Sequence, residues 1–104
     1  MNVSAAYQVF LEQTPEHARA WMEAVKGLDR ASALDKKTEE LAYIAVLAAL
    51  RLTSGVPFHV ASAREAGASR DEIASAVLLG LPAAGNGVTQ SLPIALDAFD
   101  HAAK

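Results

Sequence analysis

Apolar positions along the chain recur at intervals of three and four residues and nowhere alternate over a useful length, which is the signature of helices rather than strands. Val3, Tyr7, Phe10 and Leu11 outline a short first helix. Thr14-Pro15-Glu16-His17 reads as the start of a second, with Thr14 as cap and Pro15 in the first helical position. Ala18, Trp21, Met22 and Val25 form its apolar face, and Gly27 predicts its end, leaving Leu28 to Leu34 as a connector. Asp35 caps a third helix whose first turns hold Lys36, Lys37, Glu39 and Glu40. From Leu41 to Leu50 that helix is apolar nearly all round, so it is expected to be central and buried. Thr53, Ser54 and Gly55 break it, and either hydroxyl can cap a fourth helix that has Pro57 in its first turn and ends near Gly67. Ser69-Arg70-Asp71-Glu72 is a capping box for a fifth, with Ile73, Ala76, Val77 and Gly80 on its buried face. Gly80 to Gly87, interrupted by Pro82, Gly85 and Asn86, reads as a loop or broken turn. A last helix runs from Val88 or Ser91 to His101 with Leu92, Ala95, Leu96 and Phe99 facing inward, followed by a frayed tail over His101-Ala102-Ala103-Lys104.

The fold class is therefore all-α, and 104 residues suit one compact domain spanning 1–104. An apolar fraction of 52% is high for so small a chain, which points to surface buried against other subunits. The net charge of -3 and the lack of a basic stripe give no electrostatic footprint for nucleic acid. These residues include no cysteine, which excludes disulfides, thiolate metal sites and a thiol redox cycle. Three scattered histidines give no metal-ligand spacing, His17 and His101 are expected to be exposed, and no cofactor is expected. The segment Met1-Asn2-Val3-Ser4-Ala5-Ala6 lacks the pattern of a secretory signal, and the stretch Leu41 to Leu50 falls short of the roughly 20 apolar residues a bilayer requires. A cytoplasmic protein with no membrane partner is expected.

Several spaced features stand in a fixed order: Leu34-Asp35-x-Lys37-Thr38-x-Glu40-Leu41, then His59, Ala66-Gly67-Ala68, Asp71-Glu72-Ile73 and the loop Ala84-Gly85-Asn86-Gly87. In this order the chain resembles the carboxymuconolactone decarboxylase and alkyl hydroperoxidase D-like family over roughly Asp35 to Phe99, and more weakly around Pro15. The resemblance implies about six helices assembled as a homo-trimer, or as a homo-hexamer built from dimers. In the family's peroxidase branch a glutamate is followed by Cys-x-x-Cys and a histidine at the spacing of Glu40 and His59. Here the two cysteine positions are Leu52 and Gly55. Peroxide reduction needs a thiolate or a redox cofactor, so thiol peroxidase activity is not expected.

Glu40 and His59 are the candidate catalytic residues. An imidazole exchanges protons near neutral pH, and a neighbouring carboxylate fixes its tautomer and raises its basicity. The resemblance to the decarboxylase branch, which also lacks the cysteine pair, implies lyase-type acid–base action on a small carboxylated metabolite. The plainer alternative is a polar pair that orders the helices. Twelve residues of straight helix span about 18 Å, so contact between the two requires a break, a steep crossing or a residue from a neighbouring subunit. Around the pair, Arg51 is a candidate to bind a carboxylate, as is Arg64, although solvation or ion pairing is the commoner role of such residues. Tyr43, one turn after Glu40, lines the same pocket or packs in the core. Leu52 can only pack or line a pocket, while Gly55 serves the turn or leaves room for a ligand. Thr53 and Ser54 read as caps rather than nucleophiles. Against an enzyme stands an oligomeric binding or scaffold protein that kept the fold without its thiols, favoured by the apolar residues Val56, Pro57 and Phe58 before His59.

Overall fold

The computed structural model describes residues 4–102, so Val3 and the end of the expected tail, Ala103-Lys104, lie outside the described residues. The described chain is helical and divides into two compact units, residues 4–34 and 35–102. Six α-helices are nine residues or longer, and one further helix has four residues. No strand occurs among the described residues.

The first unit is a helix pair, α1 (Ala5–Gln13) and α2 (Pro15–Ala31), joined at Thr14. Ser4 caps α1 by accepting from the Tyr7 amide at 3.1 Å. The Tyr7 hydroxyl donates to the Met22 sulfur at 2.9 Å and ties the two helices together. Pro15 opens α2 as expected, but the Thr14 hydroxyl does not cap it: it donates to the Phe10 carbonyl at 2.6 Å and closes α1 instead. Gly27 does not end α2 either. Its φ is not positive, so it sits in the helix at the cost of lost backbone entropy alone, and the helix runs on to Ala31. Of the expected apolar face, Ala18 is buried and Met22 half-buried, while Trp21 and Val25 are exposed.

In the second unit α3 (Lys36–Leu50) is the central element, against which α4 (Val56–Glu65), α5 (Arg70–Leu78) and a 3-10 turn at Asn86–Gln90 pack. Asp35 caps α3, accepting from the Thr38 amide at 2.8 Å. Ile44, Leu47 and Ala48 of α3 meet Val56, Val60 and Ala63 of α4 and Ile73 and Val77 of α5 in one core. The expectation that α3 is buried all round holds only for this side. Its neighbours cover three directions and leave a stripe, Tyr43 (46% exposed), Val46 (49%) and Leu50 (62%), facing outward. Arg51 ends α3 in the left-handed conformation, at φ 60.

Thr53–Gly55 forms a 3-10 turn, and the residue at the cap position of α4 is Gly55, so neither hydroxyl caps that helix. The end of α4 is closed by Gly67 at φ 103, with the Ala68 amide donating to the Ala63 carbonyl and the Gly67 amide to the Arg64 carbonyl. The capping box of α5 is complete, Ser69 and Glu72 each accepting from the other's amide at 3.1 and 2.9 Å. The segment expected as a loop is mostly helical. A four-residue helix α6 (Leu81–Ala84) and the 3-10 turn Asn86–Gln90 flank Gly85, whose φ of 81 gives the one sharp bend. Pro82, read from sequence as a breaker, lies in the first turn of α6, where its missing amide leaves no hydrogen bond unmade. The last helix, α7, is Ser91–His101, with Ala95 buried and Leu92, Leu96 and Phe99 half-buried.

Candidate functional site

Glu40 and His59 touch. The Glu40 Oε1 lies 2.9 Å from His59 Nδ1. A break in the helix, among the three routes open from sequence, makes this contact. The chain leaves α3 at Arg51, doubles back, and brings Gly55 alongside Leu47, with a Cβ placed on Gly55 falling 3.5 Å from the Leu47 methyls. From that level α4 runs back along α3, and its first turn carries His59 down to Glu40. The doubling-back takes up the roughly 18 Å that a straight helix would have put between the two sequence regions.

Glu40 is buried, with 5% of its surface exposed. Burial pushes its carboxyl upward, but hydrogen bonds from His59 and Ser62 and the positive charges of His59 and Lys36 outweigh that effect and hold its pKa below the ordinary glutamate value. Lys36, one turn earlier and largely exposed, places its Nζ 3.6 Å from Oε2. Glu40 is therefore an anion at neutral pH, and a carboxylate can only accept. It follows that His59 Nδ1 carries the proton and donates, which leaves the lone pair of a neutral His59 on Nε2. Among the described residues nothing hydrogen-bonds that nitrogen.

Two aromatic rings hold the imidazole. Tyr43 stands 4.4 Å from it, centroid to centroid, tilted by 52°, and Phe58 meets it edge-on at 5.2 Å and 77°. Tyr43 thus joins the pair, as a ring wall rather than as core. About a quarter of the His59 side chain remains exposed. Two shallow concavities of the second unit, about 330 Å³ beside Leu41, Ser75, Ala76 and Leu79 and about 480 Å³ beside Asp35, Lys36 and Thr38, do not include His59.

The remaining candidates lie elsewhere. Arg51 is eleven residues from Glu40 along α3, about 16 Å of helix rise, and its guanidinium rests on Gly87, where any Cβ would overlap it. Among the described residues it has no ion-pair partner. Arg64 is committed to the fold: Nη1 donates to the Phe99 carbonyl at 2.7 Å while the guanidinium lies 4.8 Å above the Phe99 ring. Leu52 is half exposed. Gly55 has φ -86 and ψ -13, so the turn does not require glycine there, and its open side faces Leu47. Reading the sequence for chemistry missed the parts played by Lys36 and Ser62, and it took Phe58 only as an apolar residue before His59, not as a ring against it. Each had a signal, since Lys36 and Glu40 are an i,i+4 pair, Phe58 adjoins His59, and Ser62 lies one turn after it.

Among the described residues no three His, Asp or Glu side chains come together so as to hold a metal ion, and no helix is long and apolar enough to cross a membrane. The model of the carboxymuconolactone decarboxylase family matches residues 15–97, about four-fifths of the chain and including the helix at Pro15. No curated protein and no solved structure matched the sequence.

Proposed function

The chain belongs to the carboxymuconolactone decarboxylase family, and from that premise we propose that it carries out lyase-type acid–base chemistry on a small carboxylated metabolite, without thiol peroxidase activity. His59 is the acid–base group and Glu40 its positioning partner. The observation that supports this most is the 2.9 Å contact between His59 Nδ1 and the buried Glu40 carboxylate. An anionic carboxylate on Nδ1 fixes the tautomer of the imidazole and leaves its other nitrogen, Nε2, without a hydrogen-bond partner among the described residues, on a side chain about a quarter exposed.

In a decarboxylation the bond to the carboxylate carbon breaks, CO2 leaves, and the electron pair passes into a conjugated carbonyl. His59 first takes a proton from water at its bare Nε2, the resulting enolate takes that proton at carbon, and the imidazole returns to its neutral form. Glu40 stays ionised throughout and stabilises the imidazolium that precedes the transfer. Tyr43 and Phe58 flank the ring and restrict its rotation.

The test is CO2 release from a panel of carboxylated lactones and β-keto acids. Turnover that falls at least a hundredfold in His59→Ala and more modestly in Glu40→Gln supports the reading. No turnover on any member, or turnover indifferent to His59→Ala, overturns it. A second reading, an oligomeric binding or scaffold protein, is favoured by one observation: neither concavity of the second unit includes the imidazole. It predicts that ligand binding, if any, survives Glu40→Ala.

A further inference from the structure

Arg51 is the one described residue other than glycine with a positive φ, at the end of α3 where glycine or asparagine would sit with less strain. Opposite it, Gly87 keeps a space open. A Cβ on Gly87 would overlap Nε, Cζ and Nη2 of Arg51 at once, and these are the three atoms nearest to it. Gly87 does not have a positive φ, so its turn does not call for glycine. What the glycine provides is a seat for the guanidinium, and Gly87 is buried while Arg51 is exposed. The seated group has no acceptor: among the described residues none of its N–H groups enters a hydrogen bond or an ion pair. Every other described lysine and arginine of the second unit is engaged, Lys36 on Glu40, Lys37 on Glu72, Arg64 on the Phe99 carbonyl and Arg70 on Asp100. The sequence withholds an acidic partner as well. No Asp or Glu occurs between Glu40 and Glu65, or between Glu72 and Asp97. These two stretches build the end of the unit where α3 stops, α4 starts and the turn Asn86–Gln90 packs, and Arg51 is the single Lys, Arg, Asp or Glu there.

We propose that Arg51, seated on Gly87, is a binding site for a small oxyanion, a carboxylate or phosphate group taken from solution, separate from the Glu40–His59 pair. A guanidinium meets two oxygens of such a group with two parallel N–H bonds, a match that lysine cannot make. Water alone would solvate an arginine on any exposed backbone, with no need of a left-handed residue or of a glycine to receive it. The lack of carboxylates at this end removes the like charge that would compete with an incoming anion. Asn86, Thr89 and Gln90, exposed on the turn that holds Gly87, bring neutral hydrogen-bonding groups for the rest of the ligand. About 16 Å of helix rise separates Arg51 from Glu40, too far for one small molecule to engage both. The inference therefore stands apart from the chemistry proposed for His59.

The test is 1H–15N NMR of the arginine Nε–H groups on labelled protein, the Arg51 peak being assigned by its loss in Arg51→Lys. Sodium phosphate and sodium acetate are the probes, each titrated against sodium chloride at equal ionic strength. The Arg51 peak is expected to move saturably at millimolar phosphate or acetate, and the Arg70 peak, already held by Asp100, several-fold less. The probe that saturates at the lower concentration identifies the group as phosphate or carboxylate. Gly87→Ala keeps the charge and takes away the seat. The atoms in its way are the end of a flexible side chain, so helical circular dichroism should be unchanged while binding weakens by about fivefold or more. Unfolding gives a second readout: phosphate or acetate should raise the melting temperature of the wild type above the rise seen in Arg51→Gln. An Arg51 peak that moves no more than that of Arg70, or equally in chloride, overturns the proposal, as do equal thermal rises in wild type and Arg51→Gln. So does Gly87→Ala protein that binds as tightly as wild type. An Arg51 peak that follows protein concentration and not the anion would give the guanidinium to an acid of a second copy, and it too would overturn the site. Turnover is not read in any arm, so failure of the catalytic assignment leaves these outcomes unchanged.

Discussion

His59 Nδ1 and Glu40 Oε1 stand 2.9 Å apart, with the carboxylate buried and the imidazole partly open. The two residues come from different helices, nineteen positions apart, and meet because the turn after Arg51 folds α4 back along α3. Contact predicts energetic coupling. Glu40→Ala and His59→Ala should each lower stability, and the double mutant should lose less than their sum by about 1 kcal/mol. Thermal or urea unfolding of the four proteins measures this. Strictly additive losses would mean that the pair is not made in solution.

The second prediction concerns acid. Glu40 has its pKa lowered in the folded chain, so the unfolded chain binds more protons as pH falls through the ordinary glutamate range near 4.5. Stability from this group is therefore fully present above that range and is lost as pH drops toward the lower, folded value. Asp35, Glu72 and Asp100 are lowered in the same direction, by the Thr38 amide, the Ser69 amide and the Arg70 side chain respectively. Unfolding midpoints across pH 6 to about 3 should fall steadily, with a shallower fall in Glu40→Gln. An acid limb identical in wild type and Glu40→Gln would remove Glu40 from the account.

Two glycines should respond oppositely to alanine. Gly55 has an ordinary helical backbone, and a Cβ there meets Leu47 at normal contact distance. Gly55→Ala should leave stability unchanged or raise it by about 0.4–1 kcal/mol through the unfolded chain. Gly67 has φ 103, which an L side chain rarely adopts. Gly67→Ala should destabilise by more than about 1 kcal/mol. Equal effects at the two sites would contradict the backbone described for the turn after α3.

Ser69→Ala removes one half of a complete capping box and should cost about 1 kcal/mol, with Ser69→Asp recovering most of it. Circular dichroism and unfolding midpoints read both.

Much of this was legible in the chain because it is local. Asp35 and Ser69 announce their helices through short polar side chains placed before apolar runs, and the cap bonds form three residues away. Glu40 and His59 were marked by the family resemblance, in which a glutamate and a histidine stand at this spacing. What was not legible depends on neighbours far along the chain. Gly27 carries the composition of a stop, yet nothing forces its φ positive, and α2 passes through it. The segment from Gly80 to Gly87 has the composition of a loop, yet only Gly85 bends and the flanking residues complete helical turns. Arg51 and Arg64 read alike as candidates to bind a carboxylate, and only tertiary structure sends one to Gly87 and the other to the Phe99 carbonyl. The apolar run of α3 could not reveal that one of its sides is left open, because that depends on how many helices surround it.

The most direct test of the account is the tautomer of His59, read from long-range 1H–15N correlations on labelled protein above the titration of the ring. Glu40 as a carboxylate acceptor predicts a proton on Nδ1 and a bare Nε2, with the two forms mixing in Glu40→Ala. A neutral His59 protonated on Nε2, unchanged by Glu40→Ala, would contradict the orientation on which the proposed chemistry depends.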